Sequence, residues 1–350
     1  MPAVPLSFLH LLTAPDMPAS RVPALAAATR AERGGTVCVR DVPQAGGGRL
    51  HWLDAAHARG WIEAPAPLDP LRLQDGFDRA NAAGFVGADA LLLACMPEGG
   101  WVLPRLSWGE SPRFAAPRMA DAEVFGIYAL VDCAERLAPV LAAGVRTVQL
   151  RRKTPAHPDA AWRAELRQEV ARCIELAREA GAQLFVNDHW ELALELGAAG
   201  VHLGQEDVLA LGDAGRERLL ASGVALGLSS HSVWELCRAR ALSPRYIACG
   251  PVWPTTTKDM PWIPQGLDNL GWWCRMAGAP VVAIGGILQA AQVRDTAAAG
   301  AAGVCIVRGL GPEPGQVLPG LLAAFEAGRA ARTAHAADWP HPTLPPEHGA

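Results

Sequence analysis

From residue 124 onward one pattern recurs eight times, and it leaves few folds open. Short apolar runs stand at 126–131, 146–150, 183–186, 201–203, 224–228, 246–249, 281–284 and 304–307. Between them lie segments rich in Ala, Leu, Glu and Arg with helical spacing, at 135–143, 159–180, 190–196, 215–221, 233–241, 267–276 and 290–299. Gly144, Gly181, Gly200, Gly223 and Gly303 stand just before strands, where a helix-to-strand turn favours glycine. Eight buried parallel strands alternating with helices predict an α/β chain with a (β/α)8 TIM barrel over 124–332, in preference to an open doubly wound sheet.

Residues 1–122 do not continue the pattern. Strands are expected at 36–39 and 90–95 and a helix at 72–83, with Gly and Pro clusters at 46–48, 64–70 and 98–117 marking loops. Together they make a small α/β-like N-terminal domain whose fold and role the sequence leaves open. His51, Asp54 and His57, spaced three and three, could share a helix face. Without a further ligand in context they read as surface residues rather than a metal site. The barrel range already holds eight strands and every motif discussed below, so it is expected to fold and act without residues 1–122. After Arg332 a Pro- and His-rich tail, 333–350, is expected to be disordered, with His335, His341 and His348 solvated.

Composition excludes several functions. A formal charge of −4 and the absence of any dense basic stretch argue against nucleic-acid binding. The longest apolar runs fall well short of a membrane span, and the N-terminus lacks the basic region of a signal peptide. Eight cysteines form no C-x-x-C pair, and several sit inside apolar runs as small core residues, which suits a reducing cytoplasm. The 31 Lys plus Arg include only two lysines, Lys153 and Lys258, leaving 29 arginines. Both lysines fall where strands give way to loops, which points to sites needing a compact ammonium rather than a planar fork.

In a barrel of this kind the loops after the strands form the active site. Strands three and four deliver Asn187-Asp188 and Gln205-Glu206-Asp207 at matching places. Asp188 and Asp207 could face each other as hard oxygen ligands for Mg²⁺, or each could cap the helix after it. Strand two ends in Gln149-Leu150-Arg151-Arg152-Lys153, and strand five in Ser229-Ser230-His231-Ser232. His231 reads as structural, since no carboxylate stands out to orient it. Strand six leads into a Pro-fixed loop with Thr255, Thr257 and Lys258, a grouping suited to a phosphate or a leaving anion. Gly285-Gly286 after strand seven and Arg308-Gly309 after strand eight stand where barrels bind phosphate through backbone N–H groups. No Ser-His-Asp or Cys-His arrangement is evident. The site reads as one that holds two phosphorylated molecules and stabilises charge on a departing group.

The stretches VQLRRK, FVNDHWELALELGAAGVHLGQED, GLSSHS, GPVWPTTTKDMPWIPQGL, VAIGGI and GAAGVCIVRGL together resemble the thiamine-phosphate synthase family over residues 124–328. The resemblance implies a transferase that joins 4-amino-5-hydroxymethyl-2-methylpyrimidine diphosphate to a thiazole phosphate and releases pyrophosphate. It implies that Gln149, Arg151, Lys153 and Asn187 hold the pyrimidine diphosphate and that Asp188 and Asp207 hold Mg²⁺. Ser229 and Lys258 would contact the pyrimidine side, with Thr255, Thr257, Gly286 and the Val307-Arg308 turn around the thiazole phosphate. The family's chemistry is dissociative, with pyrophosphate leaving before the thiazole nitrogen attacks. One departure stands out: the family usually has Ser after strand eight, where this chain has Arg308. Two rivals are a thiazole-phosphate tautomerase-like barrel and a non-catalytic module that binds thiazole or thiamine phosphate. Retention of Asp188, Asp207 and Lys258 weighs against both.

Overall fold

A computed structural model describes residues 8–13, 16–44, 47–117, 124–255, 261–332 and 339–345. Its first part is a five-stranded mixed sheet. The strand β1 (Leu9–Thr13), helix α1 (Val22–Arg33) and parallel strand β2 (Thr36–Pro43) form one crossover unit. The strands β3 (Arg49–Asp54), β4 (Arg59–Glu63) and β5 (Arg105–Leu106) follow antiparallel, in spatial order β1-β2-β3-β4-β5. Between β4 and β5 lie α2 (Pro70–Ala82) and α3 (Gly87–Ala94). Alternation along the strands divides the sheet's two faces. Val37, Val39, Trp52 and Trp61 pack with Val22 and Ala26 of α1, while Cys38, Leu53 and Ile62 pack with Leu73, Phe77 and Leu91 of α2 and α3.

Two expectations for this part fail. Residues 90–95 are not a strand but the body of α3. The run ALLLAC carries no polar residue to set a period, and α3 is buried from Gly87 to Leu93, so a helix covered all round reads like a buried strand. His51 and Asp54 do not share a helix face and are not surface residues. They lie on β3, 4% and 2% exposed. Asp54 pairs with Arg30 at 2.8 Å and Arg59 at 3.0 Å, and His51 Nδ1 accepts the Asp41 backbone N–H at 3.1 Å.

The second part is the expected barrel, closed by eight parallel strands. They are β6 (Gly126–Val131), β7 (Thr147–Leu150), β8 (Gln183–Asn187), β9 (Gly200–Leu203), β10 (Ala225–Ser230), β11 (Tyr246–Cys249), β12 (Val281–Ile284) and β13 (Gly303–Ile306), with Ile306 pairing back to Ala129 of β6. Around it run α4 (Ala134–Ala142), α5 (Ala160–Glu179), α6 (Trp190–Leu196), α7 (Gln205–Ala210), α8 (Gly212–Ala221), α9 (Val233–Ala241), α10 (Gly266–Met276), α11 (Ala290–Ala298) and α12 (Pro314–Ala330). The helices α7 and α12 fall outside the helical segments read from the sequence. Phe125, Tyr128, Phe185 and Tyr246 fill the barrel interior. Gly200, Gly227 and Gly303 make room for them: a Cβ on Gly200 would enter the Phe185 ring, one on Gly227 the Tyr246 ring, and one on Gly303 would lie 2.6 Å from Phe125 Cβ.

The two parts share one continuous core, and their junction is α9. Outer helices of a barrel normally keep one face in water, yet every residue of α9 but Arg240 is buried. The N-terminal part covers the face that would otherwise be wet. Trp108 Nε1 donates to the Arg238 carbonyl at 2.8 Å, Arg238 Nη2 to the Arg59 carbonyl at 3.1 Å, and Arg240 Nη1 to the Pro104 carbonyl at 3.1 Å. The Ala115 N–H reaches the Ala241 carbonyl at 2.8 Å, and Ser111 Oγ reaches Asp213 Oδ2 at 2.7 Å. A barrel independent of residues 1–122 does not fit this junction.

The tail expectation also needs correcting, for residues 339–345. Trp339 lies edge-on to Phe85 with the Arg79 guanidinium 4.4 Å from its ring centre. His341 exchanges two hydrogen bonds with Asn269 through its backbone and sets Nδ1 2.8 Å from Asp268 Oδ2. The Pro-rich composition lacks periodicity but still carries Trp339 and Leu344, which dock on ready-made apolar surface. His335 and His348 lie outside the described residues.

Candidate active site

The loops after the barrel strands open on one cavity of about 890 Å³. Gln149, Arg151, Lys153, Asn187, Asp188, Asp207, Ser229, Thr255, Gly286, Val307 and Arg308 all line it. Thr257 and Lys258 lie outside the described residues.

Asp188 is the most constrained of these. Its backbone has φ +64°, a left-handed conformation that costs a non-glycine residue about 1–2 kcal/mol. Helix α6 starts from His189 with no side-chain cap, so Asp188 does not fill the capping role that competed for it. Burial first, and the Asp207 carboxylate second, hold its carboxyl above the usual range, while Arg151 and His189 pull the other way. A like charge that raises a pKa must be close. Asp207 takes both of its possible parts at once: it faces Asp188, and its Oδ2 accepts the Gly204 N–H at 3.1 Å in the first turn of α7.

Beneath the cavity the barrel floor carries one polar chain. Gln149 Nε2 donates to the Tyr128 hydroxyl at 3.1 Å, and that hydroxyl lies 2.8 Å from the Tyr246 hydroxyl. Tyr246 lies 2.8 Å from His202 Nδ1, and His202 Nε2 lies 3.0 Å from Ser229 Oγ. Burial, with Arg151 and His231 adding to it, lowers the His202 pKa to about 4, so the imidazole is neutral at pH 7. Ser229 thus has a histidine neighbour that is a weak base, backed by a phenol rather than a carboxylate. That pair cannot ionise the hydroxyl efficiently. It can aim it.

On the opposite rim Gly286 sits at φ +71°, where a Cβ would lie 2.8 Å from the Trp253 carbonyl oxygen. Gln292 pins the turn: Nε2 donates to the Gly286 carbonyl at 3.0 Å, and Oε1 accepts the Leu288 and Gln289 N–H groups at 2.8 and 3.1 Å. Val307 leads into a single tight turn, Arg308–Leu310, which leaves Arg308 exposed at the rim.

The family described as thiamine monophosphate synthase matches residues 127–310. The chain belongs to that family. A thiamine-phosphate synthase of Neisseria meningitidis serogroup A is 47% identical over 182 residues, 52% of this chain and 84% of the relative. One of Proteus mirabilis is 44% identical over 183 residues, 52% and 80%. Among solved structures, a thiamine phosphate pyrophosphorylase of Pyrococcus furiosus is 25% identical with a TM-score of 0.49, covering 59% of this chain and 98% of that one. As a member of the thiamine monophosphate synthase family the protein is a transferase of thiamine biosynthesis. Among the described residues no helix is long and apolar enough to cross a membrane.

Within this synthase fold, sequence reasoning missed several cavity groups. His231, read as lacking a carboxylate, has one: Glu235 Oε2 lies 2.8 Å from its Nδ1 and accepts its backbone N–H at 2.7 Å. The spacing of four was visible, but His231 precedes α9 and Glu235 lies in its first turn, so no helical face joined them in advance. Trp262 lies flat against the imidazole, with centroids 5.3 Å apart and planes 7° apart. Neither His202 nor Tyr246 has its partners nearby in the sequence. Their signal was a polar residue at an inward position of an otherwise apolar strand.

Proposed function

We propose that this member of the family joins the pyrimidine diphosphate to the thiazole phosphate and releases diphosphate, by a dissociative, Mg²⁺-assisted path. The observation that carries the reading is the paired Asp188 and Asp207, the first in a strained backbone and held above its usual pKa, beside Gln149 and Asn187 on one wall of a single cavity. Two carboxylates completed by substrate phosphate oxygens are a donor set suited to Mg²⁺, which seldom uses an all-protein cage. Bound there, the ion would neutralise charge growing on the departing diphosphate.

The chain's own residues account for the rest. Arg151 and Lys153 bring cations to the same side, where they hold the diphosphate as it separates. Gln149 and Ser229 orient the pyrimidine from the floor, Ser229 fixed by neutral His202. Lys258 takes its place on this side from the family resemblance. Thr255, Thr257 and the N–H groups of the Gly286 and Val307-Arg308 turns receive the thiazole phosphate, with Arg308 adding a charge in place of the family's Ser. A dissociative path needs no covalent nucleophile, and neither histidine of the cavity activates a serine. Residues 1–122, 124–332 and 333–350 are taken as an N-terminal domain, the synthase barrel and a tail, the first and last bracing the second.

Turnover of the two purified substrates, with and without Mg²⁺, tests the reading. Thiamine phosphate and diphosphate should form together, and only with the metal. Absence of thiamine phosphate at every Mg²⁺ concentration would sink it.

A further inference from the structure

We infer that the N-terminal domain is a positioning element for one wall of the cavity, acting through the start of α9 on the stacked pair His231 and Trp262. Its point of action is Asp89. This residue of α3 is 3% exposed, and its Oδ1 accepts the Trp234 N–H at 2.8 Å. Two free N–H groups at the start of α9 are thereby satisfied by different domains: Ser232 Oγ accepts from Glu235, and Asp89 accepts from Trp234. The same turn carries Glu235, whose carboxylate holds both the ring and the backbone of His231. Where Asp89 holds α9, Glu235 and His231 are held with it.

A second line runs through aromatic rings. His57 of the N-terminal domain stacks on Trp234, with centroids 5.4 Å apart and planes 12° apart. Trp234 meets Trp262 at 5.5 Å, and Trp262 lies flat on His231 at 5.3 Å. His231, Glu235 and Trp262 line the cavity, whereas Trp234 and the exposed His57 do not. The segment beyond Trp262 is braced in turn by the tail, since the Ile263 N–H donates to the Thr343 carbonyl at 2.8 Å and Trp339 rests on Phe85. The wall is therefore clamped from outside the barrel on both sides. Trp234, the buried ring at the middle of this line, passes displacement on rather than absorbing it, as close-packed side chains do.

Burial lifts the Asp89 carboxyl to about 8, so at neutral pH it is protonated and asparagine reproduces its acceptor. That supplies the test. Full-length Asp89→Ala and Trp234→Leu should each shift the ring resonances of His231, assigned by their loss in His231→Gln. They should raise KM for a substrate by about tenfold or more, as loss of an orienting contact does. The kcat should stay within about twofold, because a wall that holds substrate and transition state alike changes binding only. Asp89→Asn should match the parent in both readouts. Folded variants with unmoved His231 resonances and unchanged KM would overturn the inference, as would an Asp89→Asn as impaired as Asp89→Ala. If one variant fails to fold, the other carries the test. The KM arm rests on the synthase reading, whereas the resonance arm needs no turnover, so a parent that makes no thiamine phosphate leaves the positioning claim to be judged on its own.

Discussion

The hydroxyls of Tyr128 and Tyr246 meet at 2.8 Å inside the barrel, contributed by the non-adjacent strands β6 and β11 and both out of reach of water. Burial raises both phenols well above their usual pKa, so both stay protonated and each must find an acceptor. Tyr246 supplies one to Tyr128 and reaches the His202 imidazole itself. Tyr246→Phe keeps the ring and removes the link. It should cost about 1–3 kcal/mol, the penalty for leaving buried polar partners unsatisfied. Denaturant unfolding measures it, and a change below a few tenths would mean that the chain of hydroxyls contributes little.

Asp188 allows backbone strain and chemistry to be separated. Asp188→Gly relieves the left-handed residue, whereas Asp188→Ala keeps the strain, and both remove the carboxylate. The glycine variant should be more stable than the alanine variant by about 1 kcal/mol. Neither should make thiamine phosphate. Equal stabilities would remove the strain argument; activity in either variant would remove Asp188 from the metal site.

The pH dependence follows from His202. Its proton leaves near pH 4 in the folded protein, against 6.5 for the free side chain. Between these values the unfolded chain binds more protons at this residue than the folded one, so His202 makes unfolding free energy rise with pH from about 4 to about 6.5. His51, likewise lowered to about 4 by burial, adds the same sign over the same window. His202→Gln should therefore reduce the slope without abolishing it. Asp89, raised to about 8 by burial, contributes the opposite sign from about pH 4 to 8, so the check is the stability difference between parent and variant: by denaturant titration the parent should gain on His202→Gln between about pH 4.5 and 7, and an equal difference at both values would contradict the assignment.

A chain starting near residue 124 should fold poorly. It would expose the covered face of α9 and leave the Trp234 N–H without Asp89. Aggregation, or loss of cooperative melting by circular dichroism, is the expected outcome. A monodisperse fragment with the parent's KM would show that the N-terminal domain contributes nothing to the barrel.

What could be read from the sequence was whatever a local pattern records. Val281 to Ile284 is a short apolar run between helical segments, and it is a strand. Asp188 and Asp207 recur at matching places in consecutive units, and they meet. Less legible was anything decided by a partner distant in the chain. Nothing around Asp89 points to its partner, the Trp234 N–H, 145 residues away. The run beginning at Ala90 carries no period because the barrel covers the side that solvent would have marked. Around the tail only composition is legible, and its docking depends on Phe85 and Asn269, which no window around Trp339 contains.

Gly227 shows how far the site's requirements extend. It touches no part of the cavity, and any side chain there would collide with the Tyr246 ring. A smaller residue at position 246 could relieve the collision, but it would also take away the hydroxyl that His202 faces, and with it the support of Ser229. The two positions are therefore coupled: a side chain at Gly227 would require another way to hold Ser229, so a residue remote from the chemistry limits what the site above it can be built from.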